Sequence, residues 1–265
     1  MARTASSEDS PRTLYADQRH QRILHALRVS GRVDVTDLAT DLKVTGETVR
    51  KDLIQLERNG LLRRVHGGAV PVEQLLLEPA VAARTQFEAQ KARIARAALR
   101  HVPAGGSVLL DAGSTTAQLA DLLPPEMALT VYTNALPIAL GLVSRPRVTV
   151  YTLGGRLRGP TQAEVDDWAV RALHEINVDV AFLGTNGLSI QRGLTTPDPA
   201  EAAVKRAMLA CTRRRVLLAD HSKVGQVRGR RHGTLADVDL LITDSDIPTP
   251  DLDALRATGL SVECA

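Results

Sequence analysis

The stretch "VDVTDLATDLKVTGETVRKDLIQLERNG", residues 33–60, contains two short amphipathic patterns separated by Lys43, Val44 and Thr45. In the first pattern Val35, Leu38, Ala39 and Leu42 form an apolar face at helical spacing. Asp34 stands at the candidate N-cap, with Asp37 three residues on. In the second, Val49, Leu53 and Leu56 recur on one face and Gly60 stands where a helix stops. Two helices joined by so tight a turn predict a helix-turn-helix.

The flanks extend this reading. Upstream, "RHQRILHALRVSG" (19–31) places Ile23, Leu24 and Leu27 on one face of a first helix that stops near Gly31. Downstream, "LLRRVHGGAV" (61–70) reads as a hairpin in which Leu61, Leu62 and Val65 pack, Arg63, Arg64 and His66 project, and Gly67-Gly68 permits close backbone approach. That hairpin is a candidate wing. In such a motif the second helix enters the major groove by its N-terminal end, so Thr45, Glu47, Thr48, Arg50 and Lys51 are the expected DNA-facing residues. Arg50 suits a guanine edge or a phosphate. The competing reading is a plain three-helix bundle with a solvated charged face.

Charge favours the DNA reading. Residues 18–70 carry ten Lys/Arg against six Asp/Glu, whereas residues 71–265 carry 21 of each. The positive excess is therefore local, as expected for a polyanion partner of one domain only. Aromatics make up 2% of the chain, too few for a stacking platform on single strands, so duplex DNA is the expected partner. The two cysteines and seven histidines show no metal-ligand spacing, and no disulfide or structural metal is expected. No apolar run has signal-peptide or membrane-spanning form, and a cytoplasmic protein without membrane attachment is expected.

The pattern changes after Val70. "PVEQLLLEPAVAARTQFEAQ" reads as linker and entry to a second domain. The expected organisation is a tail over 1–16, a winged helix-turn-helix over 17–70, a linker over 71–86 and an α/β domain over 87–265. In the last, "SVLL", "LTVY", "VTVYTL", "VDVAFL", "RVLLA", "DLLIT" and "LSVE" read as buried strands, alternating with helices such as 89–101 and 199–212. Such alternation predicts a mainly parallel sheet.

Polar groups cluster at the strand ends: Asp111 to Ser114, Thr133-Asn134, Gly154 to Arg156, Gly184 to Gly187, Asp220 to Lys223, and Asp244. Ligands of open α/β sheets bind outside the carboxyl ends of the strands, so these groups are expected to line one pocket. "LLDAGSTT" (109–116) has the make-up of a phosphate cradle. Gly113 lets N–H groups approach an anion, Ser114, Thr115 and Thr116 add hydroxyls, and a helix N-terminus follows. Helix capping alone is the other reading. No G-x-G-x-x-G and no Walker lysine are present, so neither a dinucleotide cofactor nor a nucleoside triphosphate is expected. Lys223 either neutralises phosphate or faces water. Glu201 and Lys205, spaced i to i+4, either reach ligand or pair on a helix surface. Asp111 and Asp220 either bond sugar hydroxyls or cap loops.

The segment "RILHALRVSGRVDVTDLATDLKVTGETVRKDLIQLERNGLLRRVHGGAV" resembles the winged helix of the DeoR family of bacterial sugar-metabolism repressors. Thr45, Val49 and Lys51 stand where that family commonly has Ser, Ile and Arg. The segments "KARIARAALRHVPAGGSVLLDAGSTTAQLADLL", "TVYTNALPIAL", "VDVAFLGTNGLS", "GLTTPDPAEAAVKRAML" and "VLLADHSKVG" are similar to the family's sensor domain, whose fold is akin to ribose-5-phosphate isomerase and the CoA transferases. The resemblance implies a phosphorylated-sugar effector, held by the 113–116 loop, Thr133, Asn134, Gly154, Gly155 and Lys223. Asp166 and His221 depart from it, at places where glycine and serine are common.

The expectation is thus a homo-oligomeric repressor that binds double-stranded operator DNA and is released by a phosphorylated sugar, with fructose phosphates favoured by resemblance. The alternative is an isomerase-like enzyme with an accessory DNA-binding domain. Asp111 and Lys223 are imaginable catalytic groups for it, but no compact acid-base constellation is legible. No catalytic residue is therefore assigned.

Overall fold

A computed structural model describes residues 16–59, 61–71, 80–81 and 84–265, the side chains of residues 17, 28 and 29 excepted. Gly60, nearly all of the expected tail and much of the expected linker lie outside the described residues. The chain divides into two compact units, Met1–Gln74 and Leu75–Ala265.

In the first unit, α1 (Ala16–Ser30) precedes the two-residue strand β1 (Val33–Asp34), α2 (Val35–Leu42) and α3 (Gly46–Arg58). A hairpin of β2 (Arg63–Val65) and β3 (Gly68–Val70) follows. Ile23, Leu27, Leu38, Leu42, Val49, Leu53, Leu56 and Leu62 form its core, which is why the apolar residues recur every three to four positions. The α2–α3 turn is closed by Lys43 in the left-handed region, φ 53°, and Thr45 caps α3 by accepting the Thr48 N–H at 3.2 Å. Asp34 occupies the N-cap of α2, but its side chain makes no cap bond and instead accepts from Arg32.

The hairpin closes a three-stranded antiparallel sheet in the order β1-β3-β2. Gly68 sits so close to β1 that a Cβ there would lie 1.9 Å from the Val33 carbonyl oxygen. The expected close approach is therefore between two strands of the wing itself. One packing expectation fails: Leu61 is half exposed, because the chain has only just left α3 and Leu62 takes the buried place.

The second unit alternates helices and strands. Its elements are α4 (Glu88–Leu99), β4 (Ser107–Leu110), α5 (Ser114–Leu122), β5 (Leu129–Thr133), α6 (Leu136–Leu142) and β6 (Val148–Thr152). Then come β7 (Arg156–Arg158), β8 (Ala163–Val165), α7 (Asp167–His174), β9 (Val178–Gly184), β10 (Gly187–Ser189) and β11 (Gly193–Thr196). The chain finishes with α8 (Pro199–Ala210), β12 (Thr212–Leu218), β13 (Arg230–Gly233), β14 (Leu240–Thr243), α9 (Thr249–Ala257) and β15 (Val262–Cys264). Seven strands form a wholly parallel sheet in the order β15-β14-β12-β9-β4-β5-β6.

Both faces of this sheet are covered, so its strands read as unbroken apolar runs. Val108, Leu110, Val180, Phe182, Val216 and Leu218 face α4, α5 and α6, while the alternate residues Leu109, Ala181, Leu183 and Leu217 face α7 and α8. The order matters for function. Strands β5 and β6 are laid to one side of β4, and the chain then returns to lay β9, β12, β14 and β15 on the other, so the direction of winding reverses between β4 and β9. A crevice is expected at that reversal.

Asp166, the residue that departs from the family's glycine, has φ 76° and ψ −169°, backbone space that a side chain rarely enters. Such a conformation costs about 1–3 kcal/mol. Its carboxylate accepts from Arg156 Nε at 2.6 Å, but the pair is exposed and offsets little. Asp166→Gly is therefore expected to raise the Tm of the full chain by about 2–4 °C in a thermal melt. An unchanged or lower Tm would show that the Arg156 pair compensates the strain.

Candidate effector pocket and DNA-reading face

In the first unit, the expected reading residues share one face. Glu47, Arg50 and Lys51 are exposed along the N-terminal half of α3, with Thr45 and Thr48 at its cap, while Val49, Leu53 and Leu56 are buried behind them. Arg50 rests 3.7 Å from Glu47, an exposed contact that DNA can displace at little cost. In the wing, His66 is exposed and Arg63 half-buried. Arg64 is engaged with α3: its backbone N–H and Nε each donate to the Glu57 carboxylate at 3.0 Å.

One residue that carries this geometry drew no notice in the sequence. Asp52, on the buried side of α3, accepts two bonds from the Arg19 guanidinium, at 2.7 and 3.0 Å, and lies 3.2 Å from His20 Nε2. The Asp52 carboxylate in turn raises the Arg19 pKa, chiefly through that hydrogen bond. This pair locks α1 to α3.

In the second unit a cavity of about 360 Å³ opens over the ends of β4, β9 and β12, where the winding reverses. Its wall includes Gly113, Ser114, Thr115 and Thr116 from the start of α5, Gly184, Thr185 and Asn186 beyond β9, Glu201 and Lys205 of α8, and Asp220 and Lys223 beyond β12. The α5 ladder begins with the Ala117 N–H on the Gly113 carbonyl, so the N–H groups of the preceding turn point out of the helix end. These donors, with the Ser114 and Thr115 hydroxyls, suit an anion. Thr116 is different: it is fully buried and its hydroxyl donates to the Gly113 carbonyl at 2.9 Å, so it shapes the loop.

The floor of the cavity is an ion pair. Lys205 Nζ donates to Asp111 Oδ2 and to the Gly184 carbonyl, the latter at 3.0 Å, and the Gly184 N–H returns a bond to Asp111 Oδ2 at 2.9 Å. Asp111 and Lys205 are both buried. Asp111 therefore lies beneath the pocket and is consumed by structure. Nor are Glu201 and Lys205 a surface pair, since both are buried and Glu201 turns to Arg158, at 3.0 Å, and to the Thr161 hydroxyl.

Besides Asp111, the expected effector residues Thr133, Asn134, Gly154 and Gly155 fall outside the cavity, because β5 and β6 lie on the far side of β4. The Thr133 hydroxyl donates to the Leu110 carbonyl at 2.7 Å, and Asn134 Oδ1 accepts the Ala112 N–H at 2.9 Å, so both brace the loop from behind. The Gly154 N–H binds Glu164 at 2.8 Å. Gly155, at φ 103°, lets the chain pass where a Cβ would come within 2.4 Å of the Val165 carbonyl.

Conversely, Arg84, Thr85, Gln86, Phe87, Lys91 and Arg228 line the cavity without having been picked out. The first three were expected to be linker; they are part of the pocket wall. Phe87 meets the His221 ring edge-on at 4.9 Å, and His221 Nδ1 lies 2.8 Å from Asp244. His221 thus has an aromatic contact that a serine would lack. His221, Asp244 and Asp246 have ligand-type atoms within 4.8 Å of one another. Asp244 accepts from the His221 and Asp246 N–H groups, and Asp246 Oδ2 from Gln90 and Arg93.

Five cations, Arg84, Lys91, Lys205, Lys223 and Arg228, thus converge on a wall whose carboxylates are Glu201 and Asp220. Burial holds the pKa of Lys91 and of Lys223 below the ordinary lysine value, although Asp220 works against that in both. Asp220 itself accepts both the N–H and the hydroxyl of Ser222. Both wall carboxylates, Glu201 and Asp220, thus accept internal hydrogen bonds.

With the geometry in hand, the relatives can be compared. Residues 19–74 match the DeoR-like helix-turn-helix domain, and residues 86–245, more than half of the chain, match the DeoR C terminal sensor domain. The chain belongs to the DeoR family. Over 92% of this chain and 96% of the relative it is 34% identical to the HTH-type transcriptional regulator GlpR of Haloferax volcanii. It is 33% identical to the transcriptional repressor AccR of Agrobacterium fabrum over 87% of this chain and 90% of that one. It is 31% identical to the uncharacterized HTH-type transcriptional regulator FruR of Bacillus subtilis, over 88% and 93%. These are regulators, and this DeoR-family member is a DNA-binding transcriptional regulator rather than an enzyme. A solved ribose 5-phosphate isomerase A from Methanocaldococcus jannaschii overlaps 51% of the chain and 53% of its own at 19% identity, with a TM-score of 0.37, a distant and partial likeness. No helix among the described residues is long and apolar enough to cross a membrane.

The Lys205–Asp111 pair makes a sharp expectation. Lys205→Met leaves Asp111 as an uncompensated buried charge and should cost about 3–5 kcal/mol in urea unfolding. The double variant Lys205→Met/Asp111→Leu should recover much of that loss. If the double variant is no more stable than Lys205→Met, the two groups do not act as a pair.

Proposed function

We propose that this DeoR-family regulator represses a sugar uptake or catabolism operon and leaves its operator when a phosphorylated sugar enters the 360 Å³ cavity. The observation that carries this reading is the convergence of five cations and the α5 N-terminus on one crevice, in a chain that also presents a winged helix. A phosphate matches the cations and the free N–H groups, and sugar hydroxyls match Asn186, Thr185 and the rim carboxylates. Fructose phosphates are the first candidates, on family resemblance alone. Residues 17–70 read DNA and residues 87–265, together with the end of the 71–86 segment, sense the effector. The protein works in the cytoplasm as a homo-oligomer whose paired heads meet spaced half-sites. Effector binding then shifts operator affinity by its differential affinity for the two arrangements.

Two sets of variants test this. Arg50→Ala should weaken operator binding about tenfold or more in a gel shift while leaving the thermal melt unchanged. Unaltered binding would remove Arg50 from the reading face. Ser114→Ala and Lys223→Ala should bind operator as the parent does, yet need about tenfold more sugar phosphate for release. If a panel of sugar phosphates releases parent and variants alike, the pocket is not the effector site.

A further inference from the structure

Three lysines line the cavity, and their charges are balanced in different ways. Lys205 has Asp111. Lys223 is one-third exposed and has Asp220 at 3.9 Å. Lys91 is 5% exposed, and no carboxylate of the described residues lies within ion-pair distance of it. Its ammonium instead donates to two backbone carbonyls, Arg84 O at 2.8 Å and Gln86 O at 2.6 Å. An ammonium has three N–H donors, so one remains for the cavity. The charged groups that act on it are Asp220, Lys223, Arg84 and Glu88, two of each sign.

A buried ammonium without a counter-charge is costly, and the cost is relieved by an anion delivered to it. The two carbonyls give this position a second property. They belong to the strap Arg84–Phe87, which lines the cavity and leads into α4. Phe87 is held at φ 59°, a strained setting for a non-glycine residue, with its ring against His221. Just upstream, the Arg84 N–H donates to the Val81 carbonyl at 3.0 Å, and the Val81 N–H to the Pro160 carbonyl at 2.8 Å. Pro160 tops the β7–β8 hairpin, whose Arg158 and Thr161 are bonded to the wall residue Glu201. The last stretch of chain before the sensor helix is thus tied to the cavity from two sides.

We propose that Lys91 is the counter-charge for the effector's anionic group and that its two carbonyl bonds make the Arg84–Phe87 strap the element that registers occupancy. This rests on the reading of the cavity as a phosphorylated-sugar site. With the third N–H on the anion, the ammonium joins ligand and strap in one hydrogen-bonded unit. The strap is then firmer when the cavity is filled than when it is empty.

Full-length protein titrated calorimetrically with inorganic phosphate and with fructose 1-phosphate tests this. Lys91→Gln keeps two N–H donors for the carbonyls but carries no charge, and Lys91→Arg keeps the charge. Phosphate and sugar phosphate should bind Lys91→Gln about tenfold or more weakly than the parent, and Lys91→Arg within about threefold. Ligand should also slow tryptic cleavage after Arg84 in the parent and in Lys91→Arg, but not in Lys91→Gln. Binding to Lys91→Gln within about twofold of the parent overturns the counter-charge role and leaves the effector site standing. Cleavage at Arg84 that ligand does not slow in the parent overturns the strap, and this reading holds even if Lys91→Gln does not fold. Failure of both probes to bind a parent that still binds operator overturns the effector site together with this inference.

Discussion

The second unit is organised around one buried ion pair. Lys205 and Asp111 connect α8 to the end of β4, and through the Gly184 carbonyl and N–H they also fix the end of β9. These are the two strands between which the winding reverses. Without the pair, that reversal would leave a gap lined by backbone groups; with it, the gap becomes a rigid floor. A buried pair of this kind is weak evidence for stability, since apolar residues of like volume often do as well. Its value here is placement, because it holds the α5 N-terminus and the residues beyond β12 over a common space.

Placement of charge then decides what the space accepts. Asp111, Glu201 and Asp220 each accept internal hydrogen bonds, while the Lys91 ammonium rests on two backbone carbonyls. Fold alone does not separate a sensor from an isomerase; kinship with transcriptional regulators over nearly the whole chain does. A parallel sheet with polar strand ends is compatible with either activity.

The sequence made the architecture legible wherever a periodic pattern and its punctuation agreed. The α2–α3 turn, the hairpin with His66-Gly67 at its tip, and the alternating strands and helices were all readable, because burial of one face imposes a period of 3.6 and burial of both faces of a sheet imposes unbroken apolar runs. The strand ends were legible as polar clusters, but which of them meet was not. That depends on strand order, which put Thr133, Asn134, Gly154 and Gly155 outside the cavity. Lys91 and Arg84 were not legible because an isolated cation in a helix or linker looks solvated until the fold buries it, as it does Lys91, or sets it in a cavity wall, as it does Arg84. Asp52 was not legible for the same reason, being a charged residue on the apolar side of α3 whose partner, Arg19, is 33 positions away. Asp166 was visible as a departure, and its left-handed backbone explains why glycine suits that position.

The winged helix is stitched together more tightly than a helix-turn-helix requires. Arg19 grips Asp52, Arg64 grips Glu57, and the absence of a side chain at Gly68 brings the wing strand onto the two-residue strand ahead of α2. Helix, turn and wing are therefore joined by contacts beyond the shared apolar core. The exposed positions Glu47, Arg50 and Lys51 take no part in these contacts, so evolution can change what the head presents without loosening how it is held together.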